Sequence, residues 1–217
     1  MLPPLDFAIV CAMRFEATVP SAAWDALVDA EREHAGALPS WRRSEWIAGR
    51  LTLRSALAAL GASSGSLLPG ASGRPVVPSG FAGSISHKHQ YVVAAASRGM
   101  SLGVDLEKIE QQDAGMASRV LSSRELSRAV TDPQMLSPRG VALAFSAKEA
   151  IYKAASDMSQ DDIDFEQIDI PLTSSLHYTG WVTLPARLLL RHQRPIGVSL
   201  LASEEWVLTC TSFDWPA

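Results

Sequence analysis

The chain has 217 residues, of which 47% are hydrophobic and 19% are charged, a balance typical of a folded globular protein rather than a disordered one. Its formal net charge of −4 provides no overall basic field, so we do not expect nucleic acid as a partner. Cys11 and Cys210 lie in separate apolar segments without metal-type spacing or a disulfide framework, which favours a reducing, cytoplasmic environment.

The start of the chain lacks a positively charged segment, and no apolar run approaches the roughly 18 residues of a membrane span. We therefore expect neither a signal peptide nor stable membrane insertion. The length suits one large domain or two small lobes with a shared core.

Three elements are predicted in the first part of the chain. Residues 7–12 form an apolar run that suits a β-strand, and residues 24–34 favour a short helix, with a surface loop as the alternative. The first clear helix has Ser40 as its predicted N-cap and ends near Gly61, a residue type that is common just beyond a helix.

This helix carries an arginine, Arg50, within its apolar stripe. The apolar members of the stripe are Trp46, Leu53, Leu57 and Leu60. An arginine in such a position either extends its guanidinium to solvent or meets an anion, and the sequence leaves both interpretations open. Arg42 and Arg43, earlier in the helix, either extend a basic rim or are simply solvated.

A loop rich in glycine, serine and proline over residues 61–80 leads to a predicted hairpin. Residues 82–87 and 91–97 form its strands, joined by a tight polar turn. His87 and His89 would share a strand face, but we do not expect a transition-metal site because no cysteine or further histidine lies nearby.

Residues 102–107 (LGVDLE) alternate apolar with small or acidic side chains, which is the pattern of a half-buried strand. Asp105 and Glu107 would then point the same way. Two adjacent carboxylates repel each other, so this arrangement is costly unless a cation lies between them or the face is open to water.

Two helices and several strands are predicted after this strand. Ser122 and Glu125 form a capping box, so a short helix should run to about Val130, and a long helix should begin at residues 137–138. Apolar runs at about 165–170, 181–184, 196–201 and 206–212 suit antiparallel strands that cover the long helix.

The long helix carries charged residues in its middle, FSAKEAIYKA (residues 145–154). At about 100° per residue, a wedge of roughly 140° holds Phe145, Lys148, Glu149, Tyr152 and Lys153. One interpretation is an ordinary i,i+4 surface pair between Glu149 and Lys153.

The other interpretation is a magnesium site formed by Asp105, Glu107 and Glu149. Magnesium is a hard cation that prefers a few carboxylates, waters and substrate phosphate oxygens. The flanking lysines of the long helix would then face phosphates.

The motifs GVDLE and FSAKEAIYKA, some forty residues apart, together resemble the signature of the 4′-phosphopantetheinyl transferases, in particular the two-lobed group of the surfactin-synthetase activator and the enterobactin synthetase D component. The resemblance covers roughly residues 40–170. It implies an α+β fold of two similar α/β lobes related by a pseudo-two-fold axis, with the ligand site between lobes 1–100 and 101–217. Because one chain would supply both lobes, the resemblance implies a monomer.

The resemblance also implies contacts with the nucleotide of coenzyme A from the N-terminal lobe. Arg50 follows a glycine as in the family's G-R pair, and Arg74 lies in a G-R-P segment that is similar to the family's G-K-P element. A planar guanidinium does not replace an ammonium atom for atom, which leaves the contact of Arg74 open. Ser86 and His87 match the S-x-S-H element that binds coenzyme A phosphate.

The implied reaction transfers the 4′-phosphopantetheine group of coenzyme A to a serine of an apo acyl, aryl or peptidyl carrier protein and releases adenosine 3′,5′-bisphosphate. Asp105, Glu107 and Glu149 would hold magnesium in the C-terminal lobe. Glu149, directly or through a water, would take the serine proton. Lys153, assisted by Lys148, would contact coenzyme A and stabilise the leaving phosphate.

Two other classes of function stay open. The first is a magnesium-dependent hydrolase of a nucleotide or other phosphoanhydride, which needs an activated water and no protein acceptor. The second is a non-catalytic module that binds carrier proteins or nucleotides and whose acidic cluster is structural. The sequence does not say which carrier is modified, or whether siderophore, polyketide, nonribosomal peptide or fatty-acid synthesis is served.

Overall fold

The computed structural model describes residues 5–99, 101–110, 115–155, 163–172, 181–188 and 195–213. The chain divides into two compact units, Met1–Leu102 and Gly103–Ala217. Both units combine helices with a sheet, which confirms the predicted α+β class; the pseudo-two-fold relation stays a prediction. In the part of the chain that the structure describes, no helix is long and apolar enough to cross a membrane.

The N-terminal unit is a three-stranded antiparallel sheet covered by a long helix. Its elements are β1 (Ile9–Arg14), α1 (Ser21–Asp25), α2 (Asp29–Ala37), α3 (Ser40–Ala59), β2 (Phe81–Lys88) and β3 (Tyr91–Arg98). The strand order is β1-β3-β2. Leu53 and Leu57 of α3 pack against Ala94 and Ala96 of the central strand, so the apolar stripe predicted for the helix faces the sheet.

The long helix of this unit ends as predicted but begins differently. Pro39 occupies the N-cap position and Ser40 is the first helical residue, so the predicted Ser40 cap is wrong. A proline at this position leaves the first turn without a side-chain cap. At the other end Leu60 is the C-cap, and Gly61 adopts φ +76°, a conformation that glycine reaches without strain.

Residues 24–34 belong to two short helices, α1 and α2, rather than to one helix or a loop. The Glu31 side chain is fully buried and accepts from Arg54 Nη2 at 2.6 and 2.7 Å, and from the Leu67 backbone N–H at 2.7 Å. This charge-assisted network ties α2 to α3 and to the loop that follows α3.

The predicted hairpin is confirmed as β2 and β3, with His89 at φ +53° in the tight turn. His87 lies on β2 and His89 beyond its end, so the two imidazoles are not neighbours on one strand face. The strand predicted at 7–12 forms two residues later, as β1.

The C-terminal unit is a five-stranded sheet with one long helix packed on it. Its elements are β4 (Ser101–Lys108, which starts in the N-terminal unit), α4 (Met116–Val120), α5 (Ser123–Ala129), α6 (Pro138–Ala155), β5 (Ile168–Asp169), β6 (Val182–Leu188), β7 (Pro195–Ala202) and β8 (Trp206–Phe213). The strand order is β4-β8-β7-β6-β5. The capping box of Ser122 and Glu125 is confirmed, and so is the long helix from Pro138.

The strand β4 is buried on both faces where it crosses α6, not half-buried as predicted. Gly103, Val104 and Asp105 are all buried. A Cβ atom at Gly103 would lie 1.8 Å from the Ala150 carbonyl oxygen, so only glycine lets the strand and helix backbones come this close. The sequence alternation showed the apolar face, but not that a helix covers the other one.

We expect Gly103→Ala to destabilise the protein, because the added methyl group must displace the backbone of α6. Overpacking of this kind costs about 3 kcal/mol, which lowers the midpoint of thermal unfolding by roughly 6–12 °C in a chain of this size. The matched control is Gly36→Ala in α2, where no atom lies within 4 Å of the new Cβ. Equal midpoints for the two variants would contradict the close approach of β4 and α6.

Candidate functional site

The close approach of β4 and α6 brings Asp105 and Lys153 together. Lys153 Nζ lies 2.6 Å from Asp105 Oδ1 and 3.2 Å from the Val104 carbonyl oxygen. Ser146 Oγ, two turns earlier on the helix, lies 3.4 Å from the Asp105 carbonyl oxygen. The predicted catalytic aspartate is therefore held at its backbone and its carboxylate by one helix.

Glu149 lies one helical turn before Lys153 and is half-buried. Burial raises the pKa of Glu149, Lys153 lowers it, and the carboxylates of Asp105 and Glu107 raise it further, with a net upward shift. The three predicted metal ligands are thus close enough to repel one another. None of the described residues donates a hydrogen bond to the Glu149 carboxylate.

These carboxylates fit magnesium by their chemistry, since each offers hard oxygen donors and a divalent cation would relieve their mutual repulsion. Their side chains are not arranged in a finished coordination sphere. Among the described ranges, no group of three or more His, Cys, Asp or Glu residues is placed to hold a metal ion.

An open pocket of about 300 Å³ lies beside Glu149. Arg119, Tyr152, Ile163, Asp164 and Phe165 line it together with this glutamate. The pocket gives a ligand access to the Glu149 carboxylate past two aromatic rings and an arginine. Sequence reasoning missed Arg119, which lies on the short helix α4 and carries no motif of its own.

Lys148, the other lysine of the predicted motif, lies in the core. Its side chain is completely buried, and Nζ lies 2.6 Å from Glu125 Oε2 and 2.9 Å from the Phe165 carbonyl oxygen. Burial lowers the pKa of Lys148, and the adjacent Glu125 offsets part of this effect. The predicted contact of Lys148 with coenzyme A stays a prediction, and complete burial does not support it.

In the N-terminal unit, Arg50 is buried rather than extended to solvent. Its Nε donates to the Leu67 carbonyl oxygen at 2.6 Å, and its guanidinium lies 4.5 Å from the centroid of the Trp46 ring. Burial lowers the pKa of Arg50 to about 10, while nearby Glu31 raises it and Arg42 lowers it. The cation is therefore already held by protein groups.

Arg74 and Ser86 occupy sheltered positions in the same unit. Arg74 Nη2 donates to the Leu102 carbonyl oxygen at 3.1 Å, and Ser86 is buried on β2 with 6% of its surface exposed. A phosphate contact by either residue stays a prediction.

His87 lies between two residues of α3. Its Nδ1 is 3.0 Å from Glu45 Oε2, and its Nε2 is 3.1 Å from Arg42 Nη1. Arg42 also forms an ion pair with Glu45. Sequence reasoning weighed Arg42 as part of a basic rim but missed Glu45, because its partner lies on a strand far along the chain.

Two family models together match most of this chain. The model of the 4′-phosphopantetheinyl transferase N-terminal domain matches residues 30–97, and that of the 4′-phosphopantetheinyl transferase superfamily matches residues 101–210. The chain belongs to the 4′-phosphopantetheinyl transferase superfamily. The resemblance inferred from the two motifs is thereby confirmed, and the carboxylate site on β4 and α6 lies within the superfamily match.

Named members of the superfamily align with only part of their length. The chain is 37% identical over 121 residues to enterobactin synthase component D of Salmonella typhimurium, covering 54% of this chain and 49% of that protein. It is 33% identical over 147 residues to the 4′-phosphopantetheinyl transferase Svp of Streptomyces mobaraensis, covering 64% of this chain and 58% of that protein. It is 32% identical over 146 residues to the 4′-phosphopantetheinyl transferase PptT of Mycobacterium tuberculosis, covering 64% of this chain and 62% of that protein. The chain spans about half the length of the first of these relatives.

We expect Lys148→Met to destabilise this superfamily member by about 3–5 kcal/mol, because it leaves Glu125 buried without its cation. The matched control is Lys108→Met, since Lys108 forms an exposed pair with Glu110 that contributes at most about 1 kcal/mol. Chemical denaturation measures the free energy of unfolding of both variants. A loss below 1 kcal/mol for Lys148→Met would contradict the structural role of this lysine.

We expect Glu149→Gln to raise the midpoint of thermal unfolding at pH 7 in the presence of a chelator. A carboxyl whose pKa is raised on folding costs stability when it ionises, so the gain should vanish as the pH falls below the ordinary glutamate range. Glu166→Gln is the control of opposite sign: hydrogen bonds from Ser123 lower the pKa of Glu166, so its ionised form favours folding at neutral pH. A lower midpoint for Glu149→Gln would show that the ionised Glu149 carboxylate stabilises the fold, which would contradict this prediction.

Proposed function

We propose that this protein transfers the 4′-phosphopantetheine group of coenzyme A to a serine hydroxyl of an apo carrier protein and releases adenosine 3′,5′-bisphosphate. The observation that carries the proposal is that Glu149 of α6 interacts with Asp105 and Glu107 of β4 and with Lys153, which itself pairs with Asp105, all within the superfamily match. Unlike Glu31 and Glu125, which are enclosed by donors, Glu149 is repelled by the other two carboxylates and lines an open pocket.

Magnesium is the proposed cofactor, with Asp105, Glu107 and Glu149 as its protein ligands. When bound, it would neutralise the pyrophosphate of coenzyme A and the charge that develops on the leaving group. Lys153 holds the Asp105 carboxylate and Ser146 contacts the Asp105 backbone, so the carboxylate is positioned by α6 before any ligand binds.

Glu149 is the proposed base for the serine hydroxyl. Its raised pKa brings the carboxyl closer to neutral pH, where a general base is most effective, and the pocket beside it admits an acceptor side chain. Lys153 is proposed to stabilise the leaving phosphate, because its side chain is only part-buried and its ammonium lies among the carboxylates. Both residues lie on α6, one turn apart.

We propose that the nucleotide of coenzyme A binds to the surface of the N-terminal unit formed by Arg50, Arg74, Ser86 and His87. His87 is the most accessible of the four, with 39% of its side chain exposed, and its neighbour Arg42 is equally exposed. Arg50 and Ser86 are buried, so we propose that these two residues support the binding surface from behind.

The proposed partner is a carrier protein of siderophore, polyketide or nonribosomal peptide synthesis, since one relative is an enterobactin synthase component. From charge and cysteine content we propose a cytoplasmic protein that does not bind nucleic acid. We propose a monomer because one chain would supply both lobes of the site.

The test is intact-mass analysis of purified apo carrier proteins incubated with this protein, coenzyme A and magnesium. We expect a gain of one phosphopantetheine mass that a chelator abolishes. Glu149→Gln should slow the transfer by at least about 100-fold, and Asp105→Asn should abolish the magnesium-dependent transfer, while both variants stay folded. The control is Glu166→Gln, which removes an exposed carboxylate outside the proposed ligands.

No mass gain on several carrier types, from a folded protein that binds coenzyme A, would contradict the proposed transfer. Release of a nucleotide product without a carrier would then identify a phosphoanhydride hydrolase. Binding without any turnover would identify a carrier-protein or nucleotide binding module.

A further inference from the structure

His87 is held from both sides by α3, and its partners define its protonation. An arginine guanidinium has only N–H donors, so Arg42 Nη1, 3.1 Å from Nε2, must donate to it. Nε2 is therefore an acceptor, and the ring proton lies on Nδ1, which donates to Glu45 Oε2 at 3.0 Å. The contacts thus assign the Nδ1–H tautomer to the neutral ring.

The three side chains differ in exposure. Glu45 shows 17% of its side-chain surface, whereas Arg42 and His87 each show 39%. The carboxylate lies behind, and the guanidinium and the imidazole lie in front of it. Arg42 and His87 are therefore more accessible to a ligand from solvent than the Glu45 carboxylate is.

We propose that Glu45 is a positioning residue for phosphate binding: it holds the Nδ1–H of His87 and thereby directs Nε2, together with Arg42, toward a phosphate of coenzyme A. The identity of the ligand, coenzyme A, rests on the proposed function. The contacts among Glu45, His87 and Arg42 do not depend on it. Glu45 itself does not touch the phosphate. It acts through the orientation of the ring and through the ion pair that fixes Arg42.

Phosphate binding changes the hydrogen-bond roles at this ring. To donate to a phosphate oxygen, Nε2 must take a proton from solvent, and the doubly protonated ring is a cation. Glu45 balances that charge from the Nδ1 side, and Arg42 is freed to donate to the same phosphate. Among the ionisable residues close to His87 in the hairpin, Lys88 follows it on β2 and lies opposite Tyr91 on β3, and His89 lies in the turn.

The first experiment observes the ring itself. The chain has five histidines, and His87→Asn identifies the signal of His87 in a ¹⁵N spectrum of the imidazole nitrogens. At a pH where the ring is neutral, we expect the Nδ1–H tautomer in the wild type. Glu45→Ala removes both the acceptor of the Nδ1–H and the ion pair that holds Arg42 at Nε2, so we expect the Nδ1–H tautomer to be lost in this variant. The same tautomer in both proteins would overturn the inference whether or not the protein binds coenzyme A.

The second experiment measures the dissociation constant of coenzyme A by calorimetry. We expect Glu45→Ala to weaken binding roughly tenfold, the ratio typical of one lost charge-assisted hydrogen bond. Glu45→Gln should restore part of the loss, because its amide oxygen still accepts from Nδ1–H. In the transfer assay, KM for coenzyme A should rise and kcat should change little, since Glu45 touches no reacting group.

The matched control is Glu33→Ala, which removes the same charge from an exposed position on α2. Equal dissociation constants for Glu45→Ala and Glu33→Ala, with tight binding by the wild type, would overturn the inference alone. A wild type that does not bind coenzyme A would overturn the proposed function, and the phosphate role of Glu45 with it.

Discussion

The contact between the backbones of β4 and α6 is the constraint on which the C-terminal unit depends. Gly103 has no side chain, so the Ala150 carbonyl occupies the space that any Cβ would fill. At this distance Lys153 reaches both the Val104 carbonyl and the Asp105 carboxylate, and Ser146 reaches the Asp105 backbone. A side chain at residue 103 would separate the two elements and lengthen all three contacts. The close approach of β4 and α6 at Gly103 therefore determines both the packing of this unit and the positions of the site residues.

The same helix uses two lysines for different purposes. Lys148 and Lys153 lie at opposite edges of the charged wedge, so their ammonium groups lie on different sides of α6. Lys148 is enclosed with Glu125, which also accepts from the backbone N–H groups of Ser122 and Ile170. This pair joins α5 and α6 to Ile170, which directly follows β5. Lys153 stays part-exposed beside Asp105, and this accessibility is what a ligand contact requires.

Elements set by neighbouring residues were predictable from sequence, as the capping box of α5, the hairpin β2–β3 and the Gly61 end of α3 show. Features that depend on residues far apart in the chain were not predictable from the sequence. The helix α2 depends on the pairing of Glu31 with Arg54, and the covered face of Asp105 depends on α6.

The residues of the candidate site likewise include some that the sequence indicated and some that it did not. The motifs GVDLE and FSAKEAIYKA indicated three carboxylates and two lysines. In the structure Glu149 interacts with Asp105, Glu107 and Lys153, and Lys153 pairs with Asp105. The partner of Lys148 and the role of Glu45 were not predictable. Each depends on a contact across more than 20 residues of chain, which hydrophobic period and capping rules do not report.

The carboxylates of this protein fall into two groups by what surrounds them. Glu31 and Glu125 are fully buried, and each receives hydrogen bonds from a cation and from backbone N–H groups, so the protein itself offsets the cost of burying the charge. Glu149 is half-buried beside two further carboxylates, with only the attraction of Lys153 against that repulsion, and its pKa rises accordingly. The fold therefore satisfies the buried carboxylates Glu31 and Glu125 but leaves the charge of Glu149 unfavourable, and the proposed cation would relieve that cost. That contrast, more than the motif alone, favours a functional role for the cluster.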